Sequence, residues 1–90
     1  MDFEWDAGNL NHVIRHRVTP QEVEEAMGDP ERRAGAAYLK EGEVRQAIIG
    51  LTRGSRLLVV VFTHRGNRVR TVTAWPASPR DLGRYQEAKG

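Results

Sequence analysis

The sequence predicts an α+β fold: an antiparallel four- to five-stranded meander sheet packed against two N-terminal helices and a short C-terminal helix. Three observations predict it. Helix-start signatures stand near both ends, at TPQE (residues 19–22) and SPRD (residues 78–81). From about Arg33 to the second of them the apolar residues follow the spacing of strands. Short turn-forming stretches separate those strand-like runs, which favours pairing of consecutive strands into an antiparallel sheet, with the helices completing a two-layer sandwich.

FEW (residues 3–5) is a short β-prone start. DAGNLNHVIRHR (residues 6–17) reads as a helix opening on Asp6, with Leu10, Val13 and Ile14 at i, i+3 and i+4 as its apolar stripe. In TPQE, Thr19 is the N-cap, Pro20 takes the first helical position and Glu22 closes a capping box. Val23, Ala26 and Met27 form the buried face of this second helix, and GDP (residues 28–30) ends it. From about Arg33 the period changes. GAAYLK and EVRQAIIGL read as two strands around a turn at Glu41-Gly42, and TRGSR is a second turn. LLVVVFT (residues 57–63) is an unbroken β-branched and aromatic run, the pattern of a central strand covered on both faces. Gly66-Asn67 suits a hairpin turn with positive φ. RVRTVTAW alternates as the last strand, and SPRD, with Ser78 as cap and Asp81 three residues on, opens a helix carrying Leu82 and Tyr85.

The 90 residues suit one domain. The absence of cysteine excludes disulfides and thiolate metal sites, and MDFEWDAG carries no apolar run of signal-peptide length. Leu57–Phe62, the longest apolar stretch, is far too short to span a bilayer. A soluble cytoplasmic protein is the expectation, without membrane association. The net charge of +2 conceals an asymmetry: residues 1–45 carry 6 Lys/Arg against 10 Asp/Glu, and residues 46–90 carry 8 against 2. A basic half of this kind suits an anionic partner such as RNA.

Taken in order, FEWD (residues 3–6), GNLNHVIRHRVTPQEVEEAMGDP (8–30), LLVVVFTHRGNRVRTVTA (57–74) and RYQE (84–87) resemble the BrnT family of bacterial type II toxins, whose fold resembles the RelE-type ribonucleases. The resemblance implies an RNA-cleaving toxin that uses no metal or other cofactor. It also implies a cognate BrnA-like antitoxin, with a higher-order toxin–antitoxin complex as a further expectation. The chain departs from the family pattern in its last helix, with Pro79 and Gly83 where the family is usually richer in Arg and Glu, and at two positions that matter more. Arg17 stands where the family usually has glycine after its helix-ending histidine, and Trp75 stands where the last strand usually ends in arginine. The alternative reading is therefore a catalytically weakened relative that only binds antitoxin or nucleic acid.

Metal-free RNA cleavage directs the ribose 2′-OH at the neighbouring phosphate, which needs a proton acceptor, a proton donor and cations for the transition-state charge. Arg68 and Arg70, two apart on a strand, project from one face and can straddle a phosphate. Strict alternation continues that face through Val72 and Ala74 and puts Val69, Thr71, Thr73 and Trp75 on the other, unless a bulge turns the strand's end round. His64, at the rim of the same hairpin, and His16 are the candidate proton carriers beside Arg68 and Arg70. Arg65, Arg68, Arg70, Trp75, Arg80 and Tyr85 are the candidate RNA-binding residues, Trp75 by stacking on a base. The bland readings are solvated charge for Arg65, a turn residue for His64 and core packing for Trp75 and Tyr85. His12 and His16 share a helix face, but HVIRH lacks the glutamate of a zinc motif and no third ligand is evident, so no metal site is expected.

Overall fold

A computed structural model describes residues 1–87. Its elements run β1 (Asp2–Glu4), α1 (Ala7–Arg15), α2 (Pro20–Met27), β2 (Arg33–Lys40), β3 (Glu43–Leu51), β4 (Leu57–Arg65), β5 (Arg68–Pro76) and α3 (Pro79–Glu87). The five strands form one sheet in the order β1-β5-β4-β3-β2. Strands β2 to β5 are the expected antiparallel meander, but β1 pairs parallel to β5, so the sheet is mixed. The chain reaches β5 only after the whole meander, and the free outer edge of β5 is where the N-terminal strand can still dock. The expected two-layer arrangement also changes. Helices α1 and α2 pack on one face of the sheet with Ile48, Leu58, Val60, Phe62 and Ala74, while Tyr85 of α3 packs on the other with Ile49 and Val59. Strand β4 is the middle of the five, and its buried residues Leu58–Thr63 match a run with no polar face.

The helix ends follow from local chemistry. Thr19 and Glu22 form the capping box expected of α2: the Glu22 N–H donates to Thr19 Oγ1 at 3.1 Å and the Thr19 N–H donates to Glu22 Oε1 at 3.0 Å. Asp6 and Asn9 make the same exchange at α1. Asn9 also donates to the Glu4 carbonyl at 2.8 Å, tying α1 to β1. This bond turns Asn9 and Val13 inward, so Ile14, expected in the buried stripe, is 55% exposed. Helix α1 ends in a Schellman turn. The Val18 N–H donates to Val13 O, the Arg17 N–H donates to Ile14 O, and Arg17 takes φ 60°. Arginine at this left-handed position costs roughly 1 kcal/mol relative to glycine. The turn holds because Val13 and Val18 meet in the core below it. Arg56, in the β3–β4 connection, donates to the Arg17 carbonyl at 2.7 Å and to Glu22 at 3.1 Å, which clamps the α1–α2 junction onto the sheet. Burial works against the Glu22 charge, but the bonds from Thr19 and Arg56 outweigh it and hold the carboxyl below its ordinary range.

Two buried polar side chains, Asp29 and Thr71, differ in how they are satisfied. Asp29, just after α2, accepts from the backbone N–H groups of Glu31 and Leu51 and from the Tyr85 hydroxyl at 2.6 Å. This carboxylate fastens α3 to the sheet. Thr71 Oγ1, on β5, is buried with no hydrogen-bond partner among the described residues. A buried hydroxyl left unpaired costs about 1–3 kcal/mol, and valine has nearly the same shape. Thr71→Val is expected to stabilise the fold by about 1 kcal/mol in urea denaturation; a loss of stability would show that the hydroxyl is satisfied.

Candidate nucleic-acid interface

The geometry of β5 decides which side chains can work together. Its register against β4 pairs Thr63 with Arg70 and Val61 with Thr73, but Phe62 pairs with Thr71, so β5 accommodates one extra residue at Val72. Directly paired residues share a sheet face. Thr63 and Val59 are four apart on β4 and therefore point the same way, so their partners Arg70 and Trp75 also share a face. The bulge has reversed the strand's parity. Ala74, expected beside the arginines, is instead buried with Val69 against α1 and α2, and Trp75 packs on the α3 side. Arg68, Arg70 and Trp75 thus lie on one face, with Thr73 and Val61 between the arginines and the tryptophan.

Helix α1 runs beside this half of β5. Its N-cap, Asp6, holds Arg70, and its C-cap, His16, brings the imidazole to 6.4 Å from the Trp75 ring centre. Trp75 is half-buried among Ile49, Val59, Leu57 and Ala77. The structure therefore brings His16 to Trp75 and gathers Arg65, Arg68 and Arg70 at the other end of the face. His64 is not part of that group. It pairs with Val69, whose side chain enters the α1–α2 core, and its ring packs edge-on to Phe62. By register it faces away from Arg68 and Arg70. Arg80 is exposed on the first turn of α3. Tyr85 lies in the core with its hydroxyl on Asp29, and burial, then Asp29, pushes the phenol up to about 12. Its hydroxyl serves the fold.

The charges on this face are not those of an isolated basic strand. Parallel pairing sets Asp2 against Arg68 and Glu4 against Arg70. Arg70 Nη1 donates to Asp6 Oδ2 at 2.7 Å and to Glu4 Oε1 at 3.2 Å, and Nη2 donates to Asp6 Oδ1 at 3.2 Å. Arg68 Nη2 donates to the Phe3 carbonyl at 3.1 Å. Arg65 is about half exposed and lies 3.8 Å from Glu4 and 3.5 Å from Glu43. The acidic N-terminus is thus folded onto this basic strand, and Glu4 and Asp6 offset part of its charge. The hydrogen bonds from Arg70, and then from the Asn9 N–H, lower the Asp6 carboxyl to about 2. A carboxylate lowered in this way contributes its full stabilisation above its unfolded value of 3.8 and loses it progressively as the pH falls from there through about 2. Asp6 and Glu4 are the site residues that sequence reasoning missed. Asp6 is legible as a cap, but nothing in the local sequence pairs it with a residue 64 positions away.

A model of the ribonuclease toxin BrnT of type II toxin–antitoxin systems matches residues 5–81. The match covers most of the chain and includes α1, the whole β2–β5 meander and the start of α3. The chain belongs to the BrnT family of ribonuclease toxins. A comparison with curated proteins found no match. Among the described residues, no helix is long and apolar enough to cross a membrane.

Proposed function

We propose that this protein is an endoribonuclease toxin that cleaves RNA without a metal, acts in the cytoplasm and is silenced by a cognate BrnA-like antitoxin, with which it can build a higher-order complex. Family membership supports the ribonuclease class and the antitoxin partner. The single observation that carries the location of the site is the bulge at Val72, which sets Trp75 on the face of Arg68 and Arg70. In this reading the arginines hold phosphates, Trp75 stacks on a base, and His16 beside it moves protons. The fold shared with RelE-type ribonucleases belongs to the same proposal.

A second reading, a weakened relative that keeps its binding surfaces, is favoured by Trp75 itself, which supplies no cation where the family pattern has one. Incubation of RNA with the purified protein in excess EDTA separates the two. Cleavage leaving 2′,3′-cyclic phosphate ends supports the first reading; binding without cleavage supports the second. For the binding face, Arg65→Ala with Arg68→Ala is expected to lower the log–log salt slope of single-strand binding by roughly 0.7 for each phosphate that is no longer neutralised. An unchanged slope would assign these arginines to the solvated surface. Co-expression with a neighbouring antitoxin gene, followed by size-exclusion chromatography, tests the partner: the chain is expected to elute in complex.

A further inference from the structure

We propose that Asp6 is a built-in competitor for phosphate on Arg70 and so sets how tightly this face holds RNA. The inference rests on the reading of the face given above. An arginine binds phosphate through parallel N–H bonds from its planar fork, and a carboxylate satisfies the same fork with the same geometry. Asp6 does so here, with one oxygen on each terminal nitrogen, and Glu4 takes a further bond from Nη1. The carboxylate shields the cation on the solvent side. The Arg70 side chain is 17% exposed and that of Asp6 is 53% exposed, so an incoming anion meets the carboxylate before it meets the cation.

Asp6 cannot simply drift away from Arg70. Its backbone N–H donates to Asn9 Oδ1 and its carboxylate accepts from the Asn9 N–H, which fixes it as the N-cap of α1. Room for the fork depends on the next turn, where a Cβ on Gly8 would stand 3.2 Å from Asp6 Oδ1 and 3.8 Å from Arg70 Nη2. The carboxyl is charged at neutral pH, and its bonds from Arg70 keep it charged down to about 2, so the competition stays in place. RNA bound at Arg65 and Arg68 must therefore displace a tethered anion before Arg70 can hold a phosphate as well.

The test uses a single-stranded 2′-O-methylated RNA oligonucleotide, which lacks the attacking hydroxyl, with binding followed by fluorescence anisotropy across a salt series. Asp6→Asn keeps a good N-cap and removes the charge. It is expected to tighten binding and to steepen the log–log salt slope by roughly 0.7, the increment for one more neutralised phosphate on a single strand. Adding Arg70→Ala should abolish both gains. Glu41→Gln, on the β2–β3 turn, makes the same change in net charge and should reproduce neither. Asp6→Ser provides a second capping variant if Asp6→Asn fails to fold. If the folded Asp6 variants bind as the wild type does, or more weakly, Asp6 is not a competitor and the proposal is overturned. A gain that survives Arg70→Ala overturns it equally, since the effect would then be general charge. If Arg65→Ala with Arg68→Ala leaves wild-type binding intact, the reading of the face fails, independently of the Asp6 result.

Discussion

Trp75→Arg is expected to raise RNA cleavage by about a hundredfold or more. Residue 75 follows the Val72 bulge and points to the Arg70 face, four strand pairs farther along. At about 3.4 Å per residue the two Cα atoms stand roughly 14 Å apart, a span that two extended arginine side chains can close from opposite ends. Thr73 and Val61 form a floor of short side chains between them. His16 already stands beside the Trp75 ring, so a cation there would enter next to an imidazole able to carry a proton. One fixed donor aimed at a developing oxyanion is worth about 3 kcal/mol, which corresponds to that gain in rate. The substitution also removes a ring packed against the cluster of Ile49, Val59 and Tyr85, so both forms must be compared at equal folded concentration. Trp75→Gln is the control, because it loses the packing without gaining charge. If folded Trp75→Arg cleaves no faster than wild type while Trp75→Gln matches it, residue 75 does not supply the missing cation.

Gly50→Ala is expected to destabilise the fold by about 3 kcal/mol or more, which for a chain of this size lowers the melting temperature by roughly 12 °C or more. Gly50 lies on the inward face of β3, paired with Leu58, where the α2 backbone crosses the sheet. A Cβ there would stand 2.1 Å from the Ala26 carbonyl oxygen and 2.8 Å from its carbon. Both are main-chain atoms, so no rotamer change relieves the clash; the helix must lift. Lifting α2 loosens Val23, Ala26 and Met27 from the core, and a domain this small has only about 5–13 kcal/mol in hand. Thermal denaturation followed by circular dichroism measures the loss. A shift of only a few degrees would mean that α2 does not rest directly on β3.

Elements whose causes are local were legible in the sequence alone. TPQE and SPRD carry their own cap acceptors, and the structure uses both: Thr19 with Glu22, and Ser78 with Asp81. Gly66 takes φ +61° in its two-residue turn, and LLVVVFT, lacking a polar face, is the middle strand. The family was legible for the same reason, since its segments are contiguous runs. What depends on partners distant in sequence is settled in the folded chain. The parallel pairing of β1 with β5 joins residues about 66 positions apart and turns an apparently basic strand into a paired one. The bulge at Val72 comes from the match of β5 to β4, and alternation within RVRTVTAW contains no sign of it. Asn9 displaced Ile14 from the core because the Glu4 carbonyl needed a donor where β1 meets α1. Caps and turns are settled by bonds between residues a few positions apart. Which face Trp75 shares, and which carboxylate Arg70 holds, are settled by strand register, and register exists only once the strands have met.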